Sequence, residues 1–381
     1  MPDATRDSET IIVIMYCAGM AARVVLVAGF THHDVADELW RASPESALVR
    51  HDLSGLADGV VRRWVDGRLT VLELAHGCVS CTLRLDLVPL LEELDGRVVV
   101  HLDPVLEPEA VCFALSGTDV EVEAVVTVVD TATWLDDATG DDSLADRGMR
   151  AAEGDERTVA QVVVGQAEFA DALVLTGSCD PVLAAVLDRL TPHAPRQTAD
   201  GLDVTALLAA IPAESRRGEI DDGFAPLLHG QPPLEPAHGV AVVHFTERRP
   251  FHPMRLHDSI DVLLDGVVRV RGRAWVASQP DAALWLESAG GGLRVGNLGP
   301  WLAATGDWSE ADADRRAAAS LLWDPYYGDR NQEFVVITRS ADAARIEAAL
   351  RSALVTDEEL ALITELDFAD PFAEWHEEME L

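Results

Sequence analysis

Short β-branched runs alternate with amphipathic stretches through the first half of the chain, and that alternation constrains the fold more than any other feature. Strands are read at 23–28, 48–52, 97–102, 124–129 and 172–176, with helical patterns at 34–42, 82–94, 107–115, 159–170 and 181–190. Segments in that order bury both faces of their strands only in a parallel sheet covered by helices on either side. The run Val24-Val25-Leu26-Val27-Ala28 is apolar at successive rather than alternate positions, as a strand buried on both faces requires. An acidic, Gly-containing stretch from Asp136 to Glu156 reads as a mobile surface loop. A Pro- and Gly-rich stretch, Ile211 to Gly239, reads as a linker.

Beyond the linker the order of elements changes. Strand 240–246, helix 253–264, strands 267–277 and 283–288, helix 311–323, strand 333–338 and helix 341–354 predict a smaller α+β domain, with helices on one face of a mostly antiparallel sheet. The expected organisation is an N-terminal tail at 1–22, an α/β domain at 23–210, a linker at 211–239, a C-terminal α+β domain at 240–355 and an acidic tail at 356–381. Phe368, Phe372 and Trp375 interrupt the acidic tail, whose default reading is a solvated segment and whose alternative is a docking peptide. Met15 and Met20 are alternative starts, on which view the first residues are a disordered tail. The apolar stretch Ile11 to Ala28 contains Arg23 and follows Asp3, Asp7 and Glu9, which argues against a membrane segment or a secretory leader.

Sixty-six acidic against 29 basic residues give a formal net charge of -37, so the surface field repels a phosphate backbone and direct nucleic-acid binding is not expected. Every basic residue is Arg; the chain contains no Lys. Schiff-base catalysis, a lysine general base and a lysine on nucleotide phosphates are thereby excluded. A GC-rich coding sequence explains the bias equally well, and the chemical consequence is the same. Cys17, Cys78, Cys81, Cys112 and Cys179 are too few and too irregular for a disulfide scaffold, which points to a reducing cytoplasm.

In a parallel α/β sheet ligands gather where the strands end at their carboxyl side. The residues there are Gly29-Phe30-Thr31-His32-His33-Asp34-Val35-Ala36, His101-Leu102-Asp103-Pro104 and Gly177-Ser178-Cys179-Asp180. Between the first and third strands His76-Gly77-Cys78-Val79-Ser80-Cys81-Thr82-Leu83-Arg84 opens a helix.

The last of these segments resembles the Gly-Cys-X-Cys-Cys-Thr-Leu-Arg motif of the CobW family of P-loop GTPases and metallochaperones. Also similar are Gln166 to Asp171, Arg248-Arg249-Pro250-Phe251-His252-Pro253, Gly266 to Gly272 with Trp275, and Asp324 to Arg330, so the resemblance spans about residues 23 to 354. It implies a P-loop-like first domain and a CobW-type second one. Several family positions differ. Val35 stands for the phosphate-binding lysine and Ala36 for the magnesium-binding hydroxyl; His32 and Asp34 replace loop glycines. His101 stands at the acidic end of the third strand, Pro104 replaces a switch glycine, and the guanine-reading motif becomes Thr176-Gly177-Ser178 with Cys179 before Asp180. Phosphoryl transfer depends almost entirely on positioning and charge, so the degenerate loop Gly29, Phe30, Thr31, His32, His33 and Asp34 is not expected to support GTP hydrolysis. The chain is most similar to the actinobacterial branch that recruits ribosome hibernation factors. That resemblance implies an adaptor acting under zinc limitation, with a hibernation factor and the ribosome, through protein contacts, as partners. The alternative is a GTP-dependent zinc or cobalt metallochaperone.

Cys78 and Cys81 flank Ser80 where the family has a third thiolate. With His76 they form the candidate zinc site; His32, His33, His101 and Cys179 are the available supplements. The plainer alternative is a helix-start Cys pair kept small for packing. His32, His33 and His101 taken singly read as solvated loop residues, Asp130 as a helix cap, Arg248-Arg249 as a solvated turn, and Trp275, Trp285 and Trp301 as core.

Overall fold

The computed structural model describes residues 21–31, 33–74, 78–152, 154–228, 230–373 and the backbone of 377–378. The expected tail 1–22, apart from its last two residues, lies outside the described residues, as do His32, His76 and Trp375. The first domain contains β1 (Arg23–Gly29), α1 (Val35–Ala42), β2 (Ala47–Asp52), β3 (Val60–Val65), β4 (Arg68–Glu73), α2 (Val79–Thr82), α3 (Val88–Glu93), β5 (Arg97–His101), α4 (Pro108–Leu115), β6 (Glu121–Val129), α5 (Trp134–Asp137), α6 (Val159–Glu168), β7 (Ala172–Leu175), α7 (Pro181–Leu190), β8 (Arg196–Thr198) and α8 (Val204–Ala209). Its eight strands run in the order β4-β3-β2-β5-β1-β6-β7-β8, parallel from β2 to β8. Val24, Leu26 and Ala28 of β1 enter one apolar cluster, while Val25 and Val27 enter the cluster on the opposite face. The successive apolar positions are thereby explained: each face of the sheet has its own helical cover.

The β3–β4 hairpin is absent from the expected elements. Asp66 and Gly67 form its turn with φ of 50° and 78°, the geometry that an Asp-Gly pair favours. The two strands lie at the sheet edge and β4 is largely exposed, so neither has the apolar pattern by which a buried strand is read.

The second domain adds β9 (Ala241–Glu247), α9 (Pro253–Asp258), α10 (Ile260–Leu264), β10 (Val267–Ala274), β11 (Ala282–Ala289), β12 (Gly292–Pro300), α11 (Ala313–Leu322), β13 (Gln332–Thr338), α12 (Ala343–Ala353), α13 (Asp357–Ala361) and β14 (Glu377–Glu378). The sheet order is β14-β12-β11-β10-β13-β9, antiparallel except for the β12–β14 pair. The glycine-rich β12 was not expected. It is paired through β11, and the tight β11–β12 turn presses on the first domain: a Cβ on Gly290 would stand 2.3 Å from the Gly140 carbonyl oxygen. Val240, Val268, Ala289 and Ile337 belong to the same apolar cluster as Val24 and Val163, so the two sheets share a core at their junction.

Three expectations are corrected. The stretch 136–156 is held in place rather than mobile, because Ala138, Leu144 and Ala151 are buried and Arg147 ties Asp137 to Asp142. The stretch 211–239 is a strap rather than a free linker. Arg217 N donates to Asp171 Oδ1 at 3.0 Å, and Arg273 donates to the Gly223 and Ala225 carbonyls at 3.1 and 2.6 Å. The described part of the acidic run, 356–373, docks: Phe372 is fully buried in the second core and Arg255 clasps Glu359 at 2.9 and 2.6 Å. In all three cases a few apolar or charge-paired residues outweigh a polar composition. Among the described residues no helix is long and apolar enough to cross a membrane.

Candidate functional site

Strand order places β1 between β5 and β6, so the loops after these strands meet at one end of the sheet. The loop from Gly29 to Asp34 is closed by its own side chains. His33 is 7% exposed and packs on Gly29, where an added Cβ would lie 2.6 Å from the ring nitrogen Nε2. Its ring centre is 4.9 Å from that of His101. The expectation of solvated imidazoles is therefore corrected for His33, which is buried. Val35 and Ala36 are also buried, with Val35, Ala36 and Leu39 in one apolar cluster, and Arg50 pairs with Asp37 on the first turn of α1. Phe30 and Thr31 border a space of about 10 Å³ with Asp130 and Gln166, room for about one water. Asp103 is structural: its carboxylate accepts from Leu53 N at 2.7 Å and Val105 N at 3.1 Å.

Cys78 caps α2, its sulfur accepting from Cys81 N at 3.4 Å and lying 3.1 Å from Ser80 Oγ. Burial opposes ionisation of Cys78, but hydrogen bonds from Ser80, the Cys81 thiol and the backbone outweigh it and hold the Cys78 thiol below its ordinary range. Cys81 is raised, first because its thiol donates to Cys78. The contact between the two thiols thus favours ionisation at Cys78 over Cys81. After α2 the helix passes through a π turn, Leu83–Leu87, before continuing as α3. Asp86 on that turn is buried, pairs with Arg63 and lies 2.8 Å from His51 Nε2, so β2 and β3 anchor the helix that carries the thiols. Cys112 is buried and pushed up to about 12, which removes it from metal or redox chemistry. Burial likewise raises Cys179. Among the described residues no group of three or more His, Cys, Asp or Glu is arranged to hold a metal, so His33, His101 and Cys179 are not gathered around the Cys pair.

Cys78 and Ser80 form part of the wall of a cavity of about 660 Å³ between the two domains. Glu107, which precedes α4, and Glu109 and Phe113 on it line the cavity together with Arg271, Trp285 and Glu287 of the second sheet. Burial raises the carboxyl groups of both Glu107 and Glu109, an effect that Arg157 and Arg271 only partly offset. Beside the cavity Glu168, at the end of α6, lies 3.0 Å from Arg269 and 3.1 Å from Arg271. Burial favours loss of the Arg269 proton, yet Glu168, Glu287 and Glu109 reverse that and hold it firmly charged.

Residues 240–354 match the cobalamin synthesis protein cobW C-terminal domain, and residues 45–191 match the CobW/HypB/UreG nucleotide-binding domain. A protein of Mycobacterium tuberculosis strain H37Rv named as a zinc chaperone is 44% identical over 391 aligned positions, covering 94% of each chain. The chain belongs to the CobW family. A Dictyostelium discoideum CobW relative, zinc-regulated GTPase metalloprotein activator 1, is 27% identical over 321 positions, covering 77% of this chain and 67% of that protein. A solved structure of a zinc-bound YjiA GTPase from E. coli aligns with a TM-score of 0.39 at 15% identity, covering 88% of this chain and all of that one.

Several CobW-like motifs prove to be structural ties in this chain. Gln166 donates to the Pro104 and Leu106 carbonyls at 2.9 Å each, and Asp171 accepts from Val125 N at 2.8 Å. Arg248 donates to the Leu322, Gly328 and Arg330 carbonyls and Arg249 to that of Val355, so this pair is a staple rather than a solvated turn. Asp130 makes a local turn, accepting from Ala132 N at 3.0 Å, and not a side-chain cap. Trp275, Trp285 and Trp301 are buried, although Trp285 also reaches the cavity wall. Glu107, Glu109, His51 and Asp86 are the residues that sequence reasoning missed; they belong to no short motif and meet only through the fold.

Proposed function

We propose that this CobW-family chain is a cytoplasmic zinc-handling protein that carries zinc at Cys78 and Cys81 and passes it to a partner without ordinary GTP hydrolysis. The carrying observation is the geometry of the pair: Cys81 lies three residues on from Cys78 within one helical turn, its backbone N 3.4 Å from the Cys78 sulfur, beside a cavity at the domain junction. Two sulfur ligands suit zinc, and two fall short of the three or four that fill a site, which suits cargo rather than a permanent structural ion. His76, outside the described residues, or a partner supplies the remainder. The relative named a zinc chaperone supports the same reading. The absence of lysine, the burial of Val35 and Ala36, and His33 packed on Gly29 support a nucleotide loop that has lost its phosphate grip.

Zinc affinity by competition with a chromophoric chelator tests the first half. Cys78→Ser and Cys81→Ser should each lose at least about tenfold; an unchanged affinity removes the Cys pair from the site. Magnesium-dependent GTP turnover by homogeneous protein overturns the second half.

Recruitment of a hibernation factor to the ribosome would give this reading a partner. It draws support from the acidic surface, which favours a basic protein, and from the exposed Leu321, Trp323 and Tyr326 at the end of α11. A pulldown with purified ribosomal subunits and hibernation factor that retains neither overturns it.

A further inference from the structure

The cavity at the junction has the wrong chemistry for a phosphate and incomplete chemistry for a metal, yet it is large and mixed in character. Glu107, just before α4, and Glu109 on it line the cavity, and Asp222 lines it from the strap. Its lining carries six acidic residues against four arginines, Arg84, Arg157, Arg271 and Arg294, and Arg294 stands 3.9 Å from Glu287. Arg157 is held by both oxygens of Asp155 at 2.9 Å, and Arg271 is held by Glu168 at 3.1 Å. Arg157 stands 3.8 Å from Glu107, too far for a direct hydrogen bond. Beside these groups lie Phe113, Ile220 and Trp285, an apolar surface with an indole for a cation or an aliphatic chain to rest on.

We propose that this cleft seats a short segment of a partner protein that carries alternating basic and apolar side chains, beside Cys78. Guanidinium or ammonium groups of the segment meet Glu107 and Glu109, and its apolar side chains meet Phe113 and Trp285. The volume of about 660 Å³ has room for several side chains, and the net charge of -37 favours the approach of a basic segment. The proposal rests on the zinc-handling reading for its purpose, since a segment so placed brings a partner's ligands to the thiolate.

Cys78 on the wall provides a local reporter. The probe is an acetylated Leu-Arg repeat peptide ending in Cys activated as the 3-nitro-2-pyridyl disulfide; its counterpart is the Leu-Glu repeat. The Cys78 thiolate attacks the peptide sulfur, a mixed disulfide forms and 3-nitropyridine-2-thiolate leaves. Mass spectrometry of metal-free, full-length protein counts at Cys78 both the mixed disulfide and the Cys78–Cys81 disulfide that forms when the Cys81 thiol displaces the peptide thiol. Normalised to Cys179 in the same molecule, Cys78 should prefer the Leu-Arg peptide by about tenfold, the worth of a desolvated charge pair. Glu107→Gln with Glu109→Gln should erase most of that preference and leave the rate with iodoacetamide unchanged. Ala110→Arg, an exposed position on the rim, should erase it without touching the buried carboxylates. An equal preference at Cys179, or one that survives both variants, overturns the proposal, because net charge alone then explains it. Preference for spermine over the peptide in competition also overturns it, in favour of a small polyamine. Zinc affinity of the same proteins is read separately: intact zinc binding without peptide preference sinks the cleft alone, and the converse sinks the zinc reading alone.

Discussion

Replacing Glu168 with Ala removes the carboxylate that ties the two sheets together. Its side chain is 10% exposed and lies 3.0 and 3.1 Å from Arg269 and Arg271, whose own side chains are 9% and 14% exposed. At an effective dielectric near 20, unit charges about 4 Å apart attract by about 4 kcal/mol, most of it offset by desolvation in the intact network. Deletion of one partner exposes the desolvation term, because the guanidiniums stay buried; such deletions cost about 3–5 kcal/mol. Glu287, 3.2 Å from Arg269, remains as a second partner, which places the expected loss near the lower bound, about 3 kcal/mol. Glu168 belongs to the first domain and both arginines to the second, so the loss falls on the coupling between them. Urea unfolding followed by far-ultraviolet dichroism and by tryptophan emission, with Trp134 in one domain and Trp301 in the other, should separate into two transitions. Glu347→Ala, which removes an exposed pairing with Arg351 inside α12, should change stability by no more than about 0.5 kcal/mol. If Glu168→Ala matches that control and its two probes stay coincident, the network carries no coupling and the reasoning fails.

Phe372 is fully buried, so Phe372→Ala should cost about 3–5 kcal/mol and release the segment after 355 to protease; a melting curve like that of the wild type would return the segment to the solvent. Two hydrogen bonds from Arg255 hold Glu359 at about 2, below its ordinary value of 4.5, so this contact stabilises above pH 4.5 and is lost as pH falls towards 2. Protection of the amides of residues 356–361, relative to their intrinsic exchange rate at each pH, should fall over that window, and Glu359→Gln should flatten the response. Iodoacetamide at neutral pH should label Cys78 ahead of Cys81 and leave Cys112 unlabelled in the folded protein, because hydrogen bonds lower Cys78 and raise Cys81 while burial pushes Cys112 up to about 12; Cys81 reacting first would reverse the assignment.

The elements legible in the sequence were those whose signal is local. β1 is a continuous apolar run, and α7 begins where Asp180 caps it with Pro181 at its first position. β12 and the β3–β4 hairpin were not legible, since edge position and glycine content leave little apolar pattern and their pairing is decided by neighbours. The Cys pair was legible because its spacing lies within one helical turn. The cavity was not: Glu107 and Arg271 are separated by the second half of the first domain, the strap and three elements of the second domain, and no spacing rule joins them. Composition misled for the docked tail, where Phe372 and the Arg255–Glu359 contact outweigh the surrounding acids.

Transfer of zinc without hydrolysis has to run downhill, so under the proposed reading its direction is set by the difference in affinity between donor and acceptor. A site with two thiols is a shallow donor, since zinc must displace their protons and an acceptor with three or four ligands holds the ion more tightly. Ser80 is the position that sets this depth. Its hydroxyl is exposed and 3.1 Å from the Cys78 sulfur, so a thiol there would stand beside the pair without disturbing the core. Ser80→Cys should therefore raise zinc affinity by about tenfold or more and slow release to a chelator by a similar factor. If affinity is unchanged in Ser80→Cys while Cys78→Ser still abolishes binding, the ion sits on the far side of Cys78 from Ser80, and the shallow-donor argument loses its structural basis.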